Sequence, residues 1–197
     1  MNYDFFKRYI KEEPSDEDLK NGREWYRQKA FEVDRVDPVQ LIKRSQDIAT
    51  NRRRLGHIYY FKYDPIGRDT LPYYDRYPIP IVVSPTREGF IGLNLHYLPF
   101  QFRAMLMDNL YPYVRGEEDQ ARIKITYNIL QNASKLRYYK PCLKHYLNSQ
   151  IRTRTLHVNV EEWDTALFLP IQRFAKKKES TVHSDSIKQI RTNNGHI

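Results

Sequence analysis

Residues 79–98 read Ile-Pro-Ile-Val-Val-Ser-Pro-Thr-Arg-Glu-Gly-Phe-Ile-Gly-Leu-Asn-Leu-His-Tyr-Leu. Residues 79–83 are apolar and, apart from Pro80, β-branched, and residues 84–89 have the Ser, Pro and Gly content of a turn. From residue 90 onward apolar side chains recur at every second position, which is typical of a strand with one buried face. That face carries Ile91, Leu93, Leu95 and Tyr97. The stretch therefore predicts a β-hairpin, in which Gly92 marks a bulge or a close packing contact.

Two further segments have strand character. Residues 57–63 are aromatic and branched, and residues 152–158 alternate, with Leu156 and Val158 on one face. The sequence predicts helices over residues 16–33, from Pro38 with Asp37 as cap, from Pro99, over 117–136, over 141–149, and after Asn159 in a capping box. Three or four short strands cannot bury both faces of a sheet alone. We therefore expect an α+β fold with a small, strongly bent antiparallel sheet, SH3-like in one version, flanked by helices.

The length of 197 residues and the mass of 23.8 kDa favour one domain with arms. Residues 1–20 are expected to form an N-terminal arm, residues 21–174 a single α+β domain, and residues 175–197 a basic C-terminal arm or disordered tail. We expect no membrane-spanning helix and no signal peptide, because no apolar run is long enough.

The excess of positive over negative charge is concentrated in the second half of the chain. The net charge is +9, and no Asp or Glu occurs between residues 122 and 160. The acidic residues 12–18 lie at the opposite end. The basic stretches are either solvated faces or a surface for an anionic partner, nucleic acid or acidic protein. The candidates for such contacts are Lys135, Arg137, Lys140, Lys144, Arg152, Arg154, Lys176, Lys177 and Lys178.

Tyrosine is abundant, with 16 residues. Tyr138-Tyr139 lies between two cations, and Tyr59-Tyr60 follows an arginine triplet. Aromatic rings beside cations suit single-stranded or end-exposed nucleic acid, and they equally suit a protein interface rich in Tyr and Arg. The loop 69–78 is either such an interface or a lid folded back on its own core. Its candidate contact residues are Tyr73, Tyr74 and Tyr77.

Signs of catalysis or of a metal site are weak. The single cysteine, Cys142, excludes an internal disulfide and is expected to be buried. The six histidines are scattered, and no pair has metal-ligand spacing on one helix. His96 and His157 are expected to be packed or hydrogen-bonded within strands. No glycine-rich phosphate loop is present. The sequence predicts no enzyme, no cofactor and no metal.

Five blocks of sequence occur together in a recognisable order. They are Phe-Lys-Tyr-Asp-Pro at 61–65, Leu-Pro-Tyr-Tyr-Asp-Arg-Tyr-Pro at 71–78, the segment 89–98, Lys-Pro-Cys-Leu-Lys-His-Tyr-Leu at 140–147 and Glu-Trp-Asp-Thr-Ala-Leu-Phe-Leu-Pro at 162–170. Their order resembles a family of small virion proteins of T-even-like contractile-tailed phages, over roughly residues 20–175. The resemblance implies one of two roles: a DNA end protector, or a structural subunit of the neck or baseplate. It carries over no catalytic residue.

From these observations we expect a non-enzymatic structural component of a contractile-tailed phage virion, in the neck, tail or baseplate. It would bind other virion proteins through its arms and basic face. The alternative is a protein that binds and protects the ends of the packaged DNA. Neither version needs a membrane or a small-molecule substrate, and both place the protein in a virion assembled in the host cytoplasm. Steep salt dependence of DNA binding would distinguish the alternative.

Overall fold

The computed structural model describes residues 28, 33, 36–44, 50–114 and 120–192. The predicted N-terminal arm and most of the predicted helix over 16–33 lie outside the described residues.

A five-stranded antiparallel sheet forms the centre of the fold. Its strands in chain order are β1 (Ile58–Tyr60), β3 (Pro80–Pro85), β4 (Gly89–Asn94), β5 (Leu143–Leu147) and β6 (Leu156–Val158), and their order across the sheet is β5-β4-β3-β1-β6. A second, two-stranded sheet pairs β2 (Tyr74–Asp75) with β7 (Phe174–Ala175). The predicted hairpin is β3-β4, with Ile81 opposite Leu93 and a register shift between Val82 and Ser84.

Five α-helices accompany the strands within the described residues. They are α1 (Pro38–Arg44), α2 (Phe100–Val114), α3 (Gln120–Lys135), α4 (Trp163–Phe168) and α5 (Glu179–Thr192). The predicted start of α1 is confirmed, because the backbone N–H of Val39 donates to Oδ1 of Asp37 at 2.9 Å. Together, sheet and helices confirm the α+β class. None of the described helices has the length and apolar character needed to cross a bilayer.

One face of the sheet packs against the helices. Leu93, Leu95 and Tyr97 share a buried cluster with Leu106 of α2 and Trp163 of α4. Ile91 and Phe102 are partly buried against the same cluster. The predicted core across the hairpin is therefore confirmed.

The other face of the sheet closes on itself through aromatic rings. Tyr63 and Phe61, which follow β1, approach Tyr146 of β5 to 5.0 and 5.6 Å between ring centroids. In a flat sheet strands three positions apart would lie about 14 Å from each other, at ~4.8 Å per step. An isolated bridge between Tyr63 and Ile151 joins the same two regions. The strong bend is thus confirmed, whereas the likeness to an SH3 domain is not.

The predicted helix over 141–149 is wrong. Residues Arg137–Cys142 form a 3-10 helix, and the chain then enters β5, where Leu143 pairs with Leu93 and Leu147 with Gly89. Proline is tolerated at the first position of a helix, so Pro141 does not exclude one; the pairing of residues 143–147 with β4 outweighs the local preference. The capping box at Asn159 is also wrong: its side chain makes no capping hydrogen bond, a 3-10 turn follows, and α4 begins at Trp163.

The chain beyond Ala175 differs from the expected polar arm. Helix α5 packs on the core through Val182, Ser186 and Ile190, all of which are buried. These residues are spaced four apart and form one stripe, so a helix can bury them while most of its other side chains stay in water. The sequence prediction missed this stripe because the segment beyond Ala175 is polar on average. The described part of this segment is therefore folded, in contrast to the expected arm.

Candidate nucleic-acid interface

Three exposed cations meet in one open cleft of about 470 Å³. They are Lys62, Arg76 and Arg152. Two tyrosines, Tyr63 and Tyr74, also line the cleft. Cations with amphipathic rings beside them are the side chains that contact a phosphate backbone and its sugars.

Strand-like alternation places two of these cations on the solvent side. Lys62 lies between the buried Phe61 and Tyr63, and Arg76 lies between the buried Asp75 and Tyr77. In an extended chain successive side chains point to opposite faces, so burying the neighbours turns the cation outward. The core therefore fixes the direction of both cations.

Hydrogen bonds tie the segments of the cleft to one another. The N–H of Tyr63 donates to the carbonyl of Arg76, and that of Arg152 to the carbonyl of Lys62, each at 2.9 Å. The N–H of Arg76 in turn donates to the carbonyl of Arg173 at 2.9 Å. The three cations thus project from neighbouring, bonded backbone segments. Less ordering is needed when such a preformed surface binds a ligand.

One carboxylate lies among these cations. Oδ2 of Asp64 is 3.7 Å from a guanidinium nitrogen of Arg152 and 3.2 Å from one of Arg68. Both arginines are about half exposed, and exposed pairs contribute little to stability. The cleft retains a net positive charge, which favours an anionic ligand.

A buried hydrogen-bond network holds the backbone next to Arg76. Oδ1 of Asp75 accepts from the N–H groups of Tyr77 at 3.0 Å and Arg173 at 3.2 Å. Its Oδ2 lies 2.6 Å from Nδ1 of His96 and 3.2 Å from Nδ2 of Asn94. Burial alone would raise the pKa of Asp75, but the adjacent His96 and these hydrogen bonds outweigh it and lower the pKa. The carboxylate therefore holds the backbone just after β2, at Tyr77, and the backbone just before its partner β7, at Arg173.

A second buried charge contacts the backbone carbonyl of His96. The guanidinium of Arg103 is fully buried and donates to three backbone carbonyls, those of Leu98 at 2.8 Å, Leu167 at 2.7 Å and His96 at 3.2 Å. Burial lowers the pKa of Arg103 to about 10, so it is still protonated at neutral pH. The carbonyl of His96 also lies 2.9 Å from Nε2 of His183 in α5. These groups hold the helices and the cleft region as one unit.

A second groove, of about 380 Å³, lies between the start of α2, the 3-10 helix Arg137–Cys142 and α5. Phe102 and Tyr138 stack with centroids 6.0 Å apart, and the guanidinium of Arg137 lies 4.8 Å from the Tyr138 centroid. The Tyr138 hydroxyl accepts from Arg137 at 2.8 Å. The walls include Ile187 and Ile190, and Arg191 stands at the rim. This groove shares no lining residue with the basic cleft.

Several predicted contact residues make bonds within the protein. The ammonium of Lys144 lies 4.1 Å from the Tyr97 ring centroid, and burial lowers its pKa. Nζ of Lys176 donates to the carbonyls of Asp69 and Leu71, each at 2.8 Å, from a backbone with φ of 70°. Nζ of Lys177 pairs with Asp185 at 2.9 Å. These three lysines therefore anchor loops and helix α5.

The other predicted cations are distributed between surfaces. Arg152 lines the basic cleft, and Arg137 lines the second groove. Four more are exposed: Lys135, Lys140, Arg154 and Lys178. That all of these cations share one side of the fold remains a prediction.

The tyrosines of the loop 69–78 have different surroundings. Tyr77 is 8% exposed and stacks on Tyr60 at 6.3 Å, and Tyr73 lies 6.1 Å from the Tyr97 ring. This part of the loop folds back on the core, as in the lid alternative. Tyr74 lines the basic cleft.

Two tyrosine pairs next to cations, Tyr59-Tyr60 and Tyr138-Tyr139, were predicted to contact a partner, and one of their four rings lines a groove. Tyr59, Tyr60 and Tyr139 are buried, whereas Tyr138 is half-buried and lines the second groove. The sequence prediction missed Lys62, Arg76, Phe102 and Arg191 as members of these surfaces. For the first two the signal was present, because each cation stands between two side chains that alternation assigns to the core.

His96 and His157 are hydrogen-bonded as expected, but His96 lies in a 3-10 helix (Leu95–Tyr97) and not in a strand. His96 is buried beside Asp75, and Nε2 of His157 lies 2.9 Å from Nδ1 of His57. Cys142 is fully buried, and burial raises the pKa of its thiol. Over the part of the chain that the structure describes, no group of three or more His, Cys, Asp or Glu side chains could hold a metal ion.

Comparison with known proteins identifies the family. Residues 6–190 match the family model described as phage T4 terminal DNA protecting protein. No curated protein and no solved structure matches the chain. The match agrees with the phage family indicated by the sequence blocks at 61–65, 71–78, 89–98, 140–147 and 162–170. Because it spans nearly the whole sequence, this chain belongs to the family of the phage T4 terminal DNA protecting protein.

Proposed function

We propose that this protein binds the ends of linear phage DNA and shields them from degradation. The observation that carries this proposal is the family match over residues 6–190, whose description names terminal DNA protection. Of the two roles expected from the sequence, the match supports the DNA end protector more directly than a structural subunit of the tail.

The basic cleft supplies a contact surface for the DNA backbone. Lys62, Arg76 and Arg152 are exposed, project from bonded segments and face a single acid, Asp64. Phosphate contacts give most of the affinity of such a surface and release counterions when they form. Protection then needs no chemistry: a protein seated on the end occupies the space that a nuclease requires. We propose accordingly that the protein is not an enzyme.

End protection can be tested with an end-labelled blunt duplex and two exonucleases of opposite polarity. We expect the protein to slow both enzymes, and to bind with an affinity that falls steeply between 50 and 200 mM salt, by ~10³ or more for six or more phosphate contacts. A circular duplex, which has no ends, serves as the control. An endonuclease should cut it at the same rate with and without the protein. Failure to slow either exonuclease at low salt would refute the proposal.

Absence of catalysis is tested in the same reactions. The labelled duplex incubated with protein and magnesium alone should remain intact in length and in terminal phosphate. Release of nucleotide or phosphate would show that the protein acts by chemistry.

Contacts with other virion proteins, and a place in the virion, remain predictions. The exposed apolar side chains Met105 and Leu136 are 48% and 51% accessible and provide a surface for such contacts. Purified particles should contain the protein in fixed copy number, and Leu136→Lys should reduce its incorporation. Particles that lack the protein, or that incorporate the variant normally, would contradict this role.

A further inference from the structure

The second groove has the features of a base-stacking site. Phe102 and Tyr138 stack with an interplanar angle of 24°, and the guanidinium of Arg137 lies 4.8 Å from the Tyr138 ring centroid. Nucleic-acid bases that are not already stacked bind on aromatic rings and on arginine planes. The hydrogen bond from Arg137 to the Tyr138 hydroxyl holds these two side chains together before any ligand arrives.

The charge and size of the groove limit its occupant. Two cations, Arg137 and Arg191, flank apolar walls formed by Ile187 and Ile190, and among the described lining residues none is acidic. A volume of about 380 Å³ lies near the lower end of the ~300–1,000 Å³ range of small-molecule sites. Such a groove is too small for a duplex and matches one planar base with an attached phosphate.

A base with a free face occurs only at particular places in DNA. Inside a duplex both faces of every base pair are covered by neighbours, whereas the last pair, or an unpaired terminal nucleotide, leaves one face open. A stacking site therefore distinguishes an end from the continuous helix, which a phosphate-binding cleft alone cannot do. We propose that this groove, lined by Phe102, Arg137, Tyr138 and Arg191, receives the terminal base of a DNA end and its phosphate. This inference rests on the proposed function.

The test compares an open, linear duplex with the same duplex ligated into a closed circle, in which every base pair is covered on both faces. The open duplex carries 2-aminopurine at its last position, and a second version carries it in the interior. We expect wild-type protein to bind the open form more tightly and to change the fluorescence of the terminal probe only. Tyr138→Ala should reduce the ratio of open to closed affinity by about tenfold, or ~1.4 kcal/mol, which is the size expected when one stacking ring is lost.

Two further variants keep the test decisive. Tyr138→Phe retains the ring and should keep the preference for open ends. Arg191→Gln, at an exposed residue in the last turn of α5, should weaken binding to the open form and leave the closed form unchanged. If Tyr138→Ala does not fold, Arg191→Gln alone tests whether the groove recognises open ends.

The outcomes separate the two proposals. A wild-type protein that binds neither duplex refutes the proposed function itself. A wild-type protein that binds open and closed duplexes equally refutes the groove as an end sensor while DNA binding stands. The groove is also refuted as an end sensor if folded Tyr138→Ala, or Arg191→Gln, keeps the wild-type ratio of open to closed affinity.

Discussion

Nδ1 of His96 lies 2.6 Å from Oδ2 of Asp75, and both side chains are almost completely buried. Because the carboxylate is an acceptor, Nδ1 donates. The other ring nitrogen, Nε2, has no hydrogen-bond partner among the described residues, so a proton there would be a buried charge without an acceptor. The pair is therefore a neutral imidazole bonded to a carboxylate, with the buried Arg103 as the nearby positive charge.

The first prediction concerns pH. Burial lowers the pKa of His96 more than the neighbouring carboxylate raises it, and the pKa of Asp75 is lowered as well. Below ~6.5 an unfolded histidine binds a proton that folded His96 does not, and below ~4 the same holds for Asp75. The free energy of unfolding should therefore fall as the pH drops below about 6.5, and fall again below about 4. Urea unfolding at several pH values measures this.

A histidine variant provides the control for the upper part of this profile. His96→Gln lacks the titrating group, so its stability should change less between pH 7 and pH 5 than that of the wild type, even if it is lower throughout. His183, half-buried with a pKa lowered by burial, would contribute a remaining slope of the same sign. An identical slope in His96→Gln would contradict the assignment.

The second prediction concerns the carboxylate itself. The amide of Asp75→Asn has only one acceptor oxygen for the N–H groups and His96 that Asp75 now binds. The substitution also removes a buried negative charge that favours the protonated form of Arg103. We expect a loss of about 3 kcal/mol in the free energy of unfolding, as is usual when one partner of a buried charged network is removed. Asp69→Asn is the matched control, since that side chain is 91% exposed in the same loop and should change stability by under about 0.5 kcal/mol. Equal effects would contradict a structural role for the network.

The third prediction concerns the cations of the basic cleft. Arg76→Gln and Arg152→Gln should each reduce the slope of log affinity against log salt by about 1, because each removes one phosphate contact. Arg87→Gln removes the same charge from the exposed β3-β4 turn and should leave the slope unchanged. Titrations of an open duplex at four salt concentrations measure the slopes. A slope that falls equally in all three variants would show that only net charge matters.

The fourth prediction concerns the single acid of the cleft. Asp64→Asn removes a negative charge 3.7 Å from Arg152, where a phosphate would otherwise meet repulsion. We expect tighter DNA binding at low salt, by about threefold to tenfold, with the gain disappearing as salt screens it. Glu88→Gln, an exposed acid outside the cleft, is the control. Weaker binding by Asp64→Asn would mean that the carboxylate positions Arg152 for the ligand.

The sequence predicted correctly those elements for which one local pattern, such as alternation or a helix cap, is decisive. Alternation predicted β4, and the Asp37-Pro38 pair predicted the start of α1. The strand β5 was missed because its residues pair with β4 from a distant part of the sequence, which no local pattern reveals. Helix α5 was missed because three buried residues suffice to dock it on the core.

The candidate site was predicted in part for a related reason. Counting charge found Arg137 and Arg152 but also Lys144, whose ammonium the fold turns onto Tyr97. Lys62 and Arg76 lie far from the acid-free stretch, and only the bonding of residues 62–64 to 74–76 and 150–152 brings them beside Arg152. Proximity of this kind depends on tertiary pairing, so it was not available from composition.

The last prediction concerns Gly89 and Gly92, two glycines of β4 that have no room for a side chain. A Cβ on Gly89 would lie 1.9 Å from the carbonyl oxygen of Tyr146, and one on Gly92 would lie 2.6 Å from Cβ of Pro80. Neither neighbour can move without shifting a strand, so the expected close packing at Gly92 is confirmed. Gly89→Ala should lower the free energy of unfolding by at least the 1–3 kcal/mol that is roughly typical of overpacking.

Gly67→Ala is the matched control for these substitutions. Its Cβ would approach the Thr70 hydroxyl oxygen at 3.4 Å, an ordinary contact at the edge of an exposed loop, and stability should change by less than about 0.5 kcal/mol. Thermal and urea unfolding of Gly89→Ala, Gly92→Ala and Gly67→Ala would give the comparison. Because the strand β5 leads into the segment that carries Arg152, Gly89→Ala should also weaken DNA binding under conditions in which it is still folded. A stable Gly89→Ala protein would show that β4 and β5 do not pair in the register in which Gly89 faces Leu147.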